Sequence, residues 1–207
     1  NRYNGPTRLR EALYRSINLV SMRVLLKIGA GKMLEHVGNF GFDTRSFPRN
    51  TQLAIGGGTM TVAPIDMARA YAVIANGGHL VNVNVIDRIV DQQGDTIYRP
   101  ERIEVCRDCP LDEQPVTKFA TAVSPTDTFA EPSGLEEFAA DLSTEDDLRE
   151  IIPAPKVIDE RNAFIMDSML KDVIKRGTGR RARGLGRDDL AGKTGTTNDA
   201  EDTWFNG

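Results

Sequence analysis

The chain has 207 residues, 40% of them hydrophobic, with a net charge of −4 and an isoelectric point near 5.3. That is enough apolar sequence for a sizeable core, and the acidic balance argues against a basic surface for nucleic acid. No apolar run approaches the ~18–20 residues needed to span a bilayer, and no signal peptide is visible.

Residues 6–40 read as helical. Pro6 suits a first helical turn, and Leu9, Ala12 and Leu13 keep helical spacing. "SIN" at 16–18 interrupts, Leu19, Val20, Val24 and Ile28 resume an apolar face, and Gly29 stops it. A third helix is expected from about Gly31 to Val37. Residues 41–63, with Pro48 and the triplet Gly56-Gly57-Gly58, read as loop. Pro64 opens "PIDMARAYAVIA", and Asn76-Gly77-Gly78 ends it. Alternating Val81, Val83 and Val85, the turn "DQQGD" and the returning "TIYR" predict a hairpin.

Residues 101–153 change character: fourteen acids face four bases, with five prolines and little periodicity. This reads as an insertion or mobile excursion rather than core. Its CxxC, Cys106 and Cys109, is short of the roughly four ligands of a zinc site, since His36 and His79 are remote in sequence. No βαβ pattern surrounds it, so it reads as a short disulfide or as two free thiols in a loop. Order resumes at Asp159, where "ERNAFIMDSMLKDVIKR" places Phe164, Met169 or Leu170, and Val173 on one side of a helix ended by Gly177 and Gly179. An Arg-rich loop leads to "DLAGKTGTT", a turn at Asn198-Asp199 and "DTWF", a second predicted hairpin. No internal repeat is found. Helices come first and strands gather towards the end, which gives an α+β or mixed layered domain. The start at Asn1 and the close within strand-like sequence suggest an incomplete fragment.

The lysine of "AGKTGTTND" invites three readings: phosphate loop, acyl transfer, or solvated turn. The phosphate reading fails on spacing, because Arg187 stands where a Walker loop needs its first glycine and Gly186 is one residue too early. It also fails on context, because "TGTTND" is strand and turn sequence rather than the opening of a helix. The acyl-transfer reading draws on an S-x-N at Ser16-Ile17-Asn18, placed at a break between helices, and a K-T-G at Lys193-Thr194-Gly195 on a predicted strand. Serine acyl transfer needs a base, an oxyanion hole and something to hold the substrate carboxylate. A strand edge offers a fixed N–H, here that of Thr196; Gly195 lets substrate backbone lie against the strand; and Thr194 and Thr196 alternate with it. Lys193 adds positive charge beside them. The plainer alternative has Ser16 and Asn18 capping the next helix and Lys193 solvated.

Flanking sequence separates these readings. "GPTRLREALYRSINLVSMRVL", "MTVAPIDMARAYAVIANGGHLV", "RNAFIMDSMLKDVIKRGTGRRA" and "LAGKTGTTNDAEDTWFNG" strongly resemble class A (bifunctional) penicillin-binding proteins of the Gram-negative 1A type, in the C-terminal part of the transpeptidase domain. The resemblance covers nearly everything outside 101–153. It implies an antiparallel sheet flanked by helices plus a helical subdomain, and a DD-transpeptidase that cross-links peptidoglycan stem peptides through an acyl-serine and is acylated by β-lactams. It implies no cofactor and no metal, a place on the periplasmic face of the inner membrane, and periplasmic protein regulators as partners. By the same resemblance Ser16 lies in the proton relay, Asn18 holds the substrate amide, and Lys193 is hydrogen-bonded towards Ser16. Thr194 and Thr196 bind the substrate carboxylate, Gly195 lies against substrate, and the Thr196 N–H is half of the oxyanion hole. Cys106 and Cys109 are then expected to be disulfide-bonded, because the periplasm is oxidising.

No S-x-x-K precedes the S-x-N, so the nucleophile is expected on a segment or chain upstream of Asn1, as are the glycosyltransferase domain and the membrane anchor. The domain expectation is transpeptidase sequence over 1–100, an acidic excursion over 101–153, and transpeptidase sequence again over 154–207. A serine β-lactamase-type hydrolase and a non-catalytic peptide- or partner-binding domain are the alternatives. The sharpest expectation is geometric: the Lys193 ammonium should lie within ~3 Å of the Ser16 hydroxyl, directly or through one water.

Overall fold

The computed structural model describes residues 5–57, 60–105, 151–197, 199 and 201–207. The chain divides into two compact units, one formed by Asn1–Val83 with Ala154–Gly207 and the other by Asn84–Pro153.

The larger unit begins with three helices, α1 (Leu9–Tyr14), α2 (Asn18–Ile28) and α3 (Ala30–Gly38). Pro6 lies ahead of α1, whose N-cap is Arg8, so proline does not open this helix. Gly29 parts α2 from α3 at φ 91°, a conformation that favours glycine. Leu25, Leu34, Phe47 and Leu53 pack into one buried cluster, joined at its edge by Met33, Val37 and Phe42. Two short 3-10 turns, Thr44–Ser46 and Thr51–Ile55, fold the predicted loop onto that cluster. Asp43 and Asn50 begin them, accepting from the backbone N–H of Arg45 and Gln52.

Helix α4 (Pro64–Ala75) carries its proline in the first turn, where no N–H is missed. Helix α5 (Glu160–Arg176) starts at Asp159, whose carboxylate accepts from the Arg161 N–H at 2.9 Å. Ala70 and Val73 of α4, and Ala163, Leu170, Val173 and Ile174 of α5, are buried. Phe164, expected on the inner face of α5, instead points outward and is 73% exposed. The helical stripe runs through Ala163, Leu170 and Val173–Ile174, and Phe164 lies off it. Antiparallel strands β5 (Lys193–Thr196) and β6 (Thr203–Asn206) follow, pairing Lys193 with Asn206 and Thr196 with Thr203.

In the smaller unit the hairpin uses β1 (Ile89–Val90) and β2 (Thr96–Tyr98). The arms are the residues next to the turn, not the valines at 81–85; Val85 is 86% exposed. Asp91 fixes the turn by accepting from the N–H groups of Gln93 and Asp95. Strands β3 (Ile103–Glu104) and β4 (Ile152–Pro153) pair in parallel at the base of the acidic segment. Most of that segment, including Cys106 and Cys109, lies outside the described residues. The fold is α+β. Among the described residues no helix is long and apolar enough to cross a membrane, and no cluster of metal-ligating side chains occurs.

Candidate active site

Helix α1 ends in a tight reversal. The N–H of Ile17 bonds the carbonyl of Ala12 at 2.8 Å, and the N–H of Ser16 bonds that of Leu13 at 3.0 Å. This is the Schellman pattern, which needs a left-handed residue just past the helix, usually glycine. Here that residue is Ser16, at φ 55°. A side chain in that conformation costs about 1–2 kcal/mol, so the chain keeps a hydroxyl where the backbone favours none. Ile17 then serves as N-cap of α2, with no side-chain capping bond, so neither Ser16 nor Asn18 acts as a helix cap. Asn18 opens α2 and is exposed.

The corner is held to the end of α5. Arg10 donates to the Ser168 carbonyl at 3.0 Å, to the Ser168 hydroxyl at 3.1 Å and to the Asp172 carboxylate at 2.8 Å. Arg176 donates to the same carboxylate at 2.6 Å and stacks 5.1 Å above the Tyr14 ring. The Arg176 guanidinium, joined by Arg10 and opposed by burial, holds the Asp172 carboxyl below the usual carboxylate range. Gly177 sits hard against Tyr14, since a Cβ there would lie 2.4 Å from the Tyr14 carbonyl oxygen. The N–H of Thr178 donates to that carbonyl at 3.1 Å.

Strand β5 reaches the corner from the other side. Lys193 Nζ donates to Ser16 Oγ at 2.9 Å and to the Thr194 carbonyl at 2.7 Å. The two residues are 177 positions apart, and the distance is the one expected for a direct contact. Lys193 is half-buried, and burial alone lowers its pKa from the ordinary 10.5. The hydroxyls of Thr194 and Thr178 lie 2.5 Å apart. Thr178 thus joins β5 to the residue two before Ser16. Gly192 is closed in, since a Cβ would meet Phe205 Cζ at 2.4 Å and the Asn206 carbonyl at 2.5 Å, whereas Gly195 has nothing within 4 Å. Thr196 is exposed.

This is strand-borne lysine meeting helix-corner serine, and it rules out a phosphate loop, which would place the lysine at the opening of a helix. Residues 1–205 match the family described as the penicillin binding protein transpeptidase domain. The chain belongs to that family. Over 210 residues it is 46% identical to penicillin-binding protein 1A of Pseudomonas aeruginosa, covering all of this chain and 25% of that protein. Over 206 residues it is 36% identical to penicillin-binding protein 1A of Neisseria meningitidis, covering all of this chain and 20% of that protein. The crystal structure of penicillin-binding protein 1A from Haemophilus influenzae superposes with a TM-score of 0.71 at 29% identity, over 99% of this chain and 28% of that one. A transpeptidase domain from Eggerthella lenta shares the fold, with a TM-score of 0.59 at 19% identity over 99% of this chain and 45% of that one. The chain thus spans a fifth to a quarter of the curated relatives named.

In this transpeptidase-family chain, two features escaped the sequence reading. Gly177 and Gly179 read as helix stops and mask Thr178, whose signal is a threonine framed by two glycines just past a helix. A Ser-x-x-Lys spacing also occurs within α5, at Ser168 and Lys171. Its members are engaged elsewhere: Ser168 accepts from Arg10, and Lys171 lies 2.8 Å from the Asp167 carboxylate.

Proposed function

We propose that this chain forms part of a peptidoglycan DD-transpeptidase, which acylates an active-site serine with a stem peptide and is likewise acylated by β-lactams. The observation that carries the reading is the 2.9 Å bond from Lys193 to Ser16. In the proposed reaction the nucleophilic serine and its lysine base come from sequence outside this chain. Ser16 passes the proton to the leaving amine, and Lys193, bonded to Ser16 and short of solvent, sets the polarity of that hydroxyl. A lysine with a lowered pKa gives up or shares a proton more readily than a solvated one. Thr194 and Thr196 receive the substrate carboxylate, Asn18 its amide, and the Thr196 N–H half of the developing oxyanion. The open face at Gly195 leaves room for substrate backbone beside the strand. The whole protein acts at the periplasmic face of the inner membrane, and periplasmic proteins regulate it.

Labelling with a fluorescent penicillin tests this. The full-length protein should be labelled and the bare 207-residue chain should not. A stable acyl adduct on any serine of the bare chain, seen by intact mass, would overturn the assignment.

A further inference from the structure

Thr178 follows the end of α5 between two glycines that have no room for a side chain. A Cβ on Gly177 would lie 2.4 Å from the Tyr14 carbonyl oxygen, and one on Gly179 would lie 2.9 Å from Ile174 Cδ1. The N–H groups of both glycines donate to the Val173 carbonyl at 3.1 Å. The segment is thus pressed onto α1 and α5, which fixes how Thr178 is presented. Its N–H engages the Tyr14 carbonyl at 3.1 Å, and its hydroxyl lies 2.5 Å from that of Thr194. Among the described residues neither hydroxyl has another hydrogen-bond partner.

Counting protons gives the bond a direction. Each hydroxyl has one proton to donate and two lone pairs to accept with. On the function proposed above, on which this inference rests, Thr194 holds the substrate carboxylate. An ionised carboxylate only accepts, so Thr194 must turn its one proton towards it. The bond between the two threonines then persists only with Thr178 as the donor. We propose that Thr178 is a positioning residue for substrate binding: its hydroxyl donates to Thr194, fixes that oxygen in place and directs the Thr194 proton at the carboxylate. Donation to Thr194 also makes it a stronger donor in turn, because hydrogen bonds in a chain polarise one another. Thr178 itself does not touch the substrate.

The test uses the full-length protein and two ligands, benzylpenicillin and its methyl ester. Penicillin carries its carboxylate on the carbon next to the departing nitrogen, as the stem peptide does, and the ester removes the charge. Acylation by each is measured by competition with a fluorescent penicillin over a range of concentrations, which separates binding from the acylation step. The wild type should prefer the free acid. Thr178→Val keeps the branched shape and the N–H bond to Tyr14 and removes only the hydroxyl. It should cut the acid-to-ester preference about three- to fivefold, because a hydrogen-bond chain that ends on a charge is worth more than one that ends on a neutral oxygen. The loss should fall in binding, since the carboxylate is held alike before and during acylation. Thr178→Ala should show the same shift, and Thr178→Ser, which restores the hydroxyl, should recover most of the preference. An unchanged ratio in the Val and Ala variants would overturn the role. So would an equal slowing of both ligands in the acylation step, which would make Thr178 part of the scaffold, or a Ser variant that behaves like Val. A wild type that takes acid and ester alike would instead overturn the carboxylate role of Thr194, and one that is not labelled at all would overturn the transpeptidase reading itself.

Discussion

The two sides of the candidate site are built in opposite ways. At the Ser16 corner the backbone is under strain: a serine occupies the left-handed position of a helix-ending reversal, at φ 55°. The strain is contained by α5, through the Arg10–Asp172–Arg176 network and through Gly177 against Tyr14. At β5 the backbone is regular, and selectivity lies in which glycine is enclosed. Gly192 is sealed by Phe205 and Asn206, while Gly195, three residues on, faces open space. Strain fixes where a hydroxyl points, and an ordinary strand supplies a straight edge for a ligand to lie along.

The contact between the two sides is the first place to break this comparison. Lys193→Ala in the full-length protein should slow acylation by about 10²–10⁴, the usual worth of a positioned proton-transfer group. Stability should stay within about 0.5 kcal/mol, because the residue fills no core position. Lys193→Arg should recover part of the rate, since it keeps the charge but not the compact ammonium. Timed labelling with a fluorescent penicillin, alongside urea unfolding, reads both quantities.

The glycines give the next largest effect. Gly192→Ala pushes a methyl into Phe205 and the Asn206 carbonyl and should cost about 2–3 kcal/mol, as overpacking does. Gly195→Ala meets nothing and should leave stability within about 0.5 kcal/mol, yet acylation should fall because substrate backbone is held off the strand. Equal destabilisation by the two substitutions would contradict the enclosed-versus-open description of β5.

Ser16→Gly should do the reverse of an ordinary active-site change. Compared with Ser16→Ala, which loses the same bond to Lys193, relief of the left-handed cost, less the added freedom of glycine when unfolded, should raise stability by roughly 0.5–1 kcal/mol, while acylation drops in both with the lost hydroxyl. A Ser16→Gly protein less stable than Ser16→Ala would show that the corner is not strained. The smallest expected effect is in pH. Burial lowers the folded pKa of Lys193 below 10.5, so the unfolded chain binds the extra proton in the interval between the two values. Stability therefore rises with pH through that interval; below it the cost of burying the charged lysine is fully present and does not change with pH. Lys193→Met should flatten that part of the stability–pH curve; a slope unchanged by the substitution would remove burial as the cause.

Local rules specified a large part of this protein. Pro64 in a first turn, and Asp159 and Gly177 at the two ends of another helix, set the bounds of α4 and α5 at the residues their sequence indicates. Thr-rich runs on either side of a turn signal located the β5–β6 hairpin, and the S-x-N and K-T-G triplets named the residues that meet. These signals survive because each depends on a few neighbours along the chain. Others did not. The arms of β1–β2 depend on which residues find a partner, Phe164 on what lies opposite α5, and Thr178 on a hydroxyl sixteen positions away. The members of the S-x-x-K spacing within α5 are engaged by Arg10 and Asp167, partners that the spacing does not reveal. Sequence alone picked out Ser16 and Lys193 as two residues to be brought together. That they lie 2.9 Å apart was decided by tertiary structure, because no local preference spans 177 residues and only the packing of α1 on α5, with the Thr178 link to β5, brings the corner and the strand together.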